Sequence, residues 1–182
     1  VTDALTSNEL RRRLDSCPPG EAGWREFEQV GVQALVHLFV PPLQPPLIQP
    51  RTLAGAERRD AVFPNRQRDP ASSWGLLHAD HGARMILTEF KNYGKEDIGP
   101  EEVAETSGHL RNAWGRLAII CCSKKPTASA YRRRNTIYSE DKKLILFVTT
   151  ANLREMLDIR DRGEDPADLI IDSVEEFYLQ HD

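Results

Sequence analysis

Glu89 and Lys91 stand one residue apart at the end of an apolar stretch, Met85-Ile86-Leu87-Thr88. In a strand, successive side chains alternate faces, so Glu89 and Lys91 point one way and Phe90 points the other, toward a core. A carboxylate and an ammonium desolvated side by side at a sheet edge cost free energy unless something uses them. A divalent cation and a phosphate would use both. Asp60, in Arg58-Arg59-Asp60-Ala61-Val62-Phe63, is the candidate second acid. Neighbouring strands lie about 4.8 Å apart, close enough for Asp60 and Glu89 to share one Mg2+. That ion takes oxygen ligands and keeps part of its water, so the backbone carbonyl of Phe90 is an adequate third ligand, and Mn2+ is an acceptable substitute. Lys91 is then placed to orient or help deprotonate a water, or to stabilise charge on a pentavalent phosphate. Glu28 is a further acid that could support the site or hold a second metal.

The elements that must position these residues follow from periodicity. Phe27, Val30, Ala34, Leu35 and Leu38 recur at three- and four-residue steps, giving an amphipathic helix from Trp24 that stops at Pro41-Pro42. Residues 1–16 read as a short preceding helix, with Cys17-Pro18-Pro19-Gly20 as a break, and residues 1–20 are set apart as an N-terminal segment. Residues 47–53 and 56–63 read as strands joined near Gly55, and 84–91 as the strand carrying Glu89 and Lys91. A short helix is expected to start near Asp69–Ser73, with His78-Ala79-Asp80-His81-Gly82 as a turn after it. Gly99-Pro100-Glu101-Glu102 opens a helix to about Ala113, with proline in the first turn and acids against the helix dipole. Residues 115–122 and 144–148 are continuous apolar runs, expected of strands buried on both faces. A helix over 127–138 separates them, and helices over 151–162 and 166–180 close the chain. Strand–helix–strand order from 84 onward predicts right-handed crossovers and a parallel part of the sheet. Residues 21–182 therefore form one three-layer α/β domain, a mixed central sheet flanked by helices.

Composition sets limits. The 182 residues are 40% apolar and 29% charged, as in an ordinary globular domain. No apolar run is long enough to span a bilayer and no signal-peptide pattern opens the chain. The chain starts at Val1, and the expectation is a module cut from a longer polypeptide. Three cysteines, two of them adjacent at Cys121-Cys122, do not make a disulfide framework. A reducing, cytoplasmic compartment is expected. The net charge of −4 hides polarity: residues 51–68 carry +3, residues 124–143 carry +5, and residues 151–182 carry −7. Such a distribution can present a phosphate-binding face. Arg58, Arg59, Lys124, Lys125 and Arg132 are the candidate contacts to a nucleic-acid backbone, weighed against plain solvated charge. Cys121-Cys122 is not a zinc pattern. No Walker loop or dinucleotide fingerprint occurs.

Asp60 followed by Glu89-Phe90-Lys91 resembles the bipartite motif of the PD-(D/E)XK nuclease superfamily, whose fold is restriction-endonuclease-like. Gly23-Trp24-Arg25-Glu26-Phe27-Glu28 resembles the first-helix signature of its Mrr-like group, with Glu28 at the glutamate of that signature. Glu89-Phe90-Lys91-Asn92-Tyr93, then Ile98, Val103 and Gly115-Arg116-Leu117-Ala118-Ile119-Ile120, is similar to the core of that group. The likeness covers roughly residues 21–150. Two positions depart: Arg59 stands where proline would precede the first acid, and Glu105-Thr106 stands where many members carry glutamine. The resemblance implies a Mg2+-dependent endonuclease acting on DNA, most simply double-stranded. It also implies a setting in restriction or antiviral defence, as the effector module of a larger protein, and a homo-oligomer with two sites is a natural route to cutting both strands. Two other readings stay open, a nucleic-acid-binding module without turnover and an interaction or scaffold domain of the same fold.

Overall fold

The computed structural model describes residues 5–50 and 59–181. Five strands form one mixed sheet in the order β1 (Leu47–Ile48), β2 (Ala61–Pro64), β3 (Met85–Lys91), β4 (Leu117–Cys122) and β5 (Leu144–Thr149). β2 pairs antiparallel with both β1 and β3, and β3, β4 and β5 are parallel. Helices α1 (Ser7–Ser16), α2 (Trp24–Phe39) and α3 (Ser73–His81) belong to the first half of the chain. Helices α4 (Pro100–His109), α5 (Ala128–Asp141), α6 (Thr150–Asp161) and α7 (Asp168–Gln180) belong to the second.

The expected α/β architecture with a mixed sheet between helices is what forms. Strand alternation divides the core into two clusters, one on each face of the sheet. On one face Ile86, Ile119 and Leu146 pack with α1, α2, α3, α6 and α7. On the other, Leu87, Ile120 and Phe147 pack with α4 and α5. Both crossover helices share that second face because the strand order advances in one direction and right-handed connections then return on the same side.

Local chemistry sets the ends. Thr6 closes a capping box with Glu9 at α1, and Thr149 does the same with Asn152 at α6. Pro100 lies in the first turn of α4, where its missing N–H costs nothing. Three sequence expectations shift. His78–His81 is the last turn of α3, not a loop. Gly82, at φ 58°, is the left-handed cap that ends that helix, so the polar run falls before the stop instead of after it. The helix from Pro100 ends at His109, and Asn112–Trp114 forms a separate 3-10 turn. Of the strand expected over 47–53, Leu47 and Ile48 are the paired positions among the described residues, while residues 51–53 and the turn near Gly55 lie outside them. Among the described residues no helix is long and apolar enough to cross a membrane.

The strand carrying the candidate acids is held against α2 by one close approach. Phe90 turns its ring toward α2, edge-on to Phe27 with centroids 6.4 Å apart. A Cβ at Gly31 would lie 2.4 Å from that ring. In an open helix Gly→Ala gains about 1 kcal/mol. Here overpacking, typically about 1–3 kcal/mol, outweighs it. Gly31→Ala is therefore expected to destabilise the fold in urea unfolding. A net gain in stability would show that α2 and β3 are not packed this tightly.

Candidate active site

The register of β2 on β3 pairs Ala61 with Thr88 and Val62 with Leu87. Extending it by one residue sets Asp60 opposite Glu89. Like charges directly opposite on adjacent strands repel. The acids stay there because each is held. Asp60 Oδ2 accepts a hydrogen bond of 2.8 Å from the backbone N–H of Phe90. Glu89, 5% exposed, has Oε1 3.0 Å from His109 Nδ1 and lies within hydrogen-bonding reach of Asp60. Burial first, then the charge of Asp60, push the Glu89 carboxyl up to about 8, and the opposing pull of Lys91 does not cancel them. The pair thus accommodates only one full negative charge comfortably.

Lys91 lies two residues beyond Glu89 on the same face, half-buried, with Nζ 2.9 Å from Glu105 Oε2. Burial works against its charge, but the hydrogen bond and charge of Glu105, with Glu89 and Asp60 behind it, hold its proton affinity above the ordinary lysine value. Lys91 is a cation here. Glu105, in turn, is held below the usual carboxylate range by the Lys91 hydrogen bond.

Helix α4 supplies both counterparts. Glu105 and His109 are four residues apart, a rise of about 6 Å on one helix face. Lys91 and Glu89 are two apart on β3, a rise of about 6.6 Å. The two spacings match, so one helix face meets one strand face with acid against lysine and imidazole against acid. His109 was missed in the sequence. Its signal was the four-residue step from Glu105.

Among the other sequence candidates, Phe90 sends its side chain into the α2 side of the core, as expected. Its N–H faces Asp60, and a strand residue presents its N–H and C=O on the same edge. The Phe90 carbonyl therefore faces the end of β2, where Asp60 sits. Glu28 belongs to α2 across the sheet, where it accepts a 2.9 Å hydrogen bond from Gln49 Nε2. Gln49 in turn donates its backbone N–H to the Asp60 carbonyl at 2.8 Å. The structure thus ties Glu28 to the site through Gln49. Arg59 is not at the surface: it is 2% exposed, with Nε 3.3 Å from the His109 carbonyl and Cζ 4.7 Å over the Trp114 ring. As placed it braces the end of α4, and a buried guanidinium has no surface for a backbone phosphate. Arg58 lies outside the described residues. Lys124 bridges to Asp97 at 2.9 Å and donates to the Gly94 carbonyl at 3.1 Å, while Lys125 and Arg132 are exposed.

Among the described residues no group of three or more His, Cys, Asp or Glu side chains converges as a metal site. The donors that do meet are hard oxygens, two carboxylates and one carbonyl. They fit Mg2+, which is commonly held by one or two carboxylates and retained waters. A cation between the two opposed acids would relieve their repulsion.

Part of the chain is similar to the putative transposon gamma-delta 80.3 kDa protein of Escherichia coli (strain K12), at 29% identity over 115 residues. The matched stretch is 63% of this chain and 16% of that protein, so the chain spans only a small part of its relative's length. No family model matches the chain, and no solved structure matches it.

With its folded-state acidity near pH 8 and its ordinary value near 4.5, Glu89 binds a proton more tightly in the folded protein than in the unfolded one. The stability it contributes is complete below about pH 4.5 and is lost as pH rises through 8. Glu89→Gln, which keeps the shape without the charge, is expected to match wild type near pH 4.5 in EDTA. By pH 8.5 it should be more stable by roughly 1–2 kcal/mol, a discounted share of a shift worth 1.36 kcal/mol per unit. Urea unfolding at the two pH values measures it, and an advantage that does not grow with pH would contradict the buried like-charge pair.

Proposed function

We propose that the chain is a metal-dependent endonuclease domain hydrolysing DNA phosphodiester bonds, with a PD-(D/E)XK-type site on a restriction-endonuclease-like fold. The observation that carries this reading is the apposition of Asp60 and Glu89 at the ends of adjacent strands, with Lys91 on the same face. The element order around it, helix α2, strands β1 and β2, helix α3, strand β3 antiparallel to β2, helix α4 and the parallel strand β4, is compatible with that fold. A Mg2+ or Mn2+ ion, when bound, supplies Lewis-acid charge to a phosphoryl oxygen and acidifies a water. The chain's own groups do the rest. Asp60, Glu89 and the Phe90 carbonyl would hold the cation, and the Phe90 N–H fixes the rotamer of Asp60. Lys91 exchanges Glu105 for a phosphate oxygen, meeting charge as it develops. His109 orients Glu89, and Arg59 steadies the end of the helix that carries His109. Lys125 and Arg132 are exposed cations available to the DNA backbone, and Glu28 supports the site from α2. A place in restriction or antiviral defence, within an oligomer or a longer protein, rests on the resemblance alone.

Supercoiled plasmid, linear duplex and single strands, each with Mg2+, Mn2+ or EDTA, test the proposal. Cleavage is expected only with metal. Asp60→Ala, Glu89→Ala and Lys91→Ala should each lower the rate by roughly 100-fold or more, with circular dichroism showing the fold intact. His109→Gln should cost less, since it orients a ligand without being one. Cleavage at the wild-type rate by folded Glu89→Ala protein would overturn the assignment. Salt-sensitive DNA binding with no cleavage in any metal would favour a binding module instead.

A further inference from the structure

Arg134 sits on the buried face of α5 and is only 5% exposed. Its guanidinium lies among the rings of Tyr131, Phe147 and Phe177, with Cζ 5.0, 5.6 and 4.8 Å from their centroids. Its Nε is shut from solvent and has no hydrogen-bond acceptor. Ring faces attract a cation but do not satisfy its N–H donors. The carboxylate whose charge reaches it, Glu176, is exposed on α7 and accepts a 2.8 Å hydrogen bond from Gln180. A buried N–H without an acceptor is costly, and an anion held by this guanidinium would offset the cost of burying its charge.

A route for one exists. Arg134 lines a cavity of about 840 Å3 that opens where β3, β4 and β5 end. The carboxyl end of parallel strands is the edge at which α/β sheets bind ligands. Lys125, on the loop after β4, stands at this cavity, as do Thr149 and Thr150 at the start of α6. That 12-residue helix turns its positive N-terminal end to the same space. The cavity is far larger than one phosphate and falls in the range of small-molecule and cofactor sites. Asp60, Glu89 and Lys91 do not line it.

The geometry points to a second binding site, separate from the acid pair, for a phosphate-bearing molecule of nucleotide size whose phosphate is held by Arg134 under the field of Lys125 and the α6 N-terminus. The same chemistry is carried by a free nucleotide and by the phosphorylated end of a strand. Isothermal titration in EDTA, which removes metal-dependent binding at the acid pair, tests the site. The probes are AMP, adenosine, inorganic phosphate, and one oligonucleotide with a 5′-phosphate or a 5′-hydroxyl.

Saturable AMP binding is expected, with adenosine at least about tenfold weaker, the order of one charge-assisted hydrogen bond. Displacement of AMP by the 5′-phosphorylated strand alone would identify a strand end as the source, and AMP binding without such displacement a free nucleotide. Arg134→Met should weaken AMP roughly tenfold. Lys125→Ala, an exposed change that leaves the core intact, should weaken it about threefold. Asp60→Ala should leave AMP affinity unchanged even where it abolishes cleavage, so the two readings stand or fall separately. Absence of saturable binding by every phosphate-bearing probe would overturn the site. So would AMP affinity that is insensitive to Lys125→Ala and to a folded Arg134→Met, or that is lost in Asp60→Ala.

Discussion

Two carboxylates opposite each other on adjacent strands, mostly withdrawn from water, are the constraint around which this end of the molecule is arranged. Their repulsion is strong at short range in a medium of low effective dielectric. It is contained by a backbone N–H on Asp60, an imidazole on Glu89 and an ammonium two residues farther along β3. Removing any of these leaves charge that the fold must then neutralise by taking up a proton or admitting a cation. The site is thus a place where folding stability is held back, as is common where a structure is built for binding and not for its own cohesion.

The support for that arrangement comes from both faces of the sheet. On one side Phe90 and Gly31 seat β3 on α2, so the height of the strand is set by contact between a ring and a helix backbone. On the other, α4 lays Glu105 and His109 over Lys91 and Glu89, and Arg59 locks the end of that helix from below. Neither face alone would fix the acids. The core behind α2 positions the strand, and the polar contacts beneath α4 orient what the strand carries.

Asp60, Glu89, Lys91 and the orientation of Phe90 were legible in the sequence because a strand's side-chain period is local and needs only two or three residues to read. The buried runs expected at 115–122 and 144–148 form Leu117–Cys122 and Leu144–Thr149, legible because an unbroken apolar stretch marks a strand covered on both faces. What escaped depends on how one element docks on another. Nothing in the local pattern sets Glu105 and His109 over β3, and nothing marks Arg59 as covered by Trp114 while its neighbour Asp60 is only half-buried. Arg134 carries the same charge as its neighbours Arg132 and Arg133, and only its recurrence with Ala130 and Ile137 at helical spacing marks it as part of a buried face. The His78–His81 run was misplaced because the cap that ends α3 is Gly82, after it. Charge counting blurred Arg59 and Arg134, since a buried cation and a solvated one look alike in a sum.

Because α4 meets Glu89 and Lys91 with side chains one turn apart, the helix is a single rigid lever on both. Whatever draws Lys91 away from Glu105 loosens the same body that holds His109 against Glu89. By thermodynamic reciprocity, occupancy at the lysine and occupancy at the acid pair then share one coupling free energy, each altering the other's affinity by the same factor. The docking of a 10-residue helix would therefore couple an anion bound at Lys91 to a cation bound at the acid pair, through the protein as well as directly.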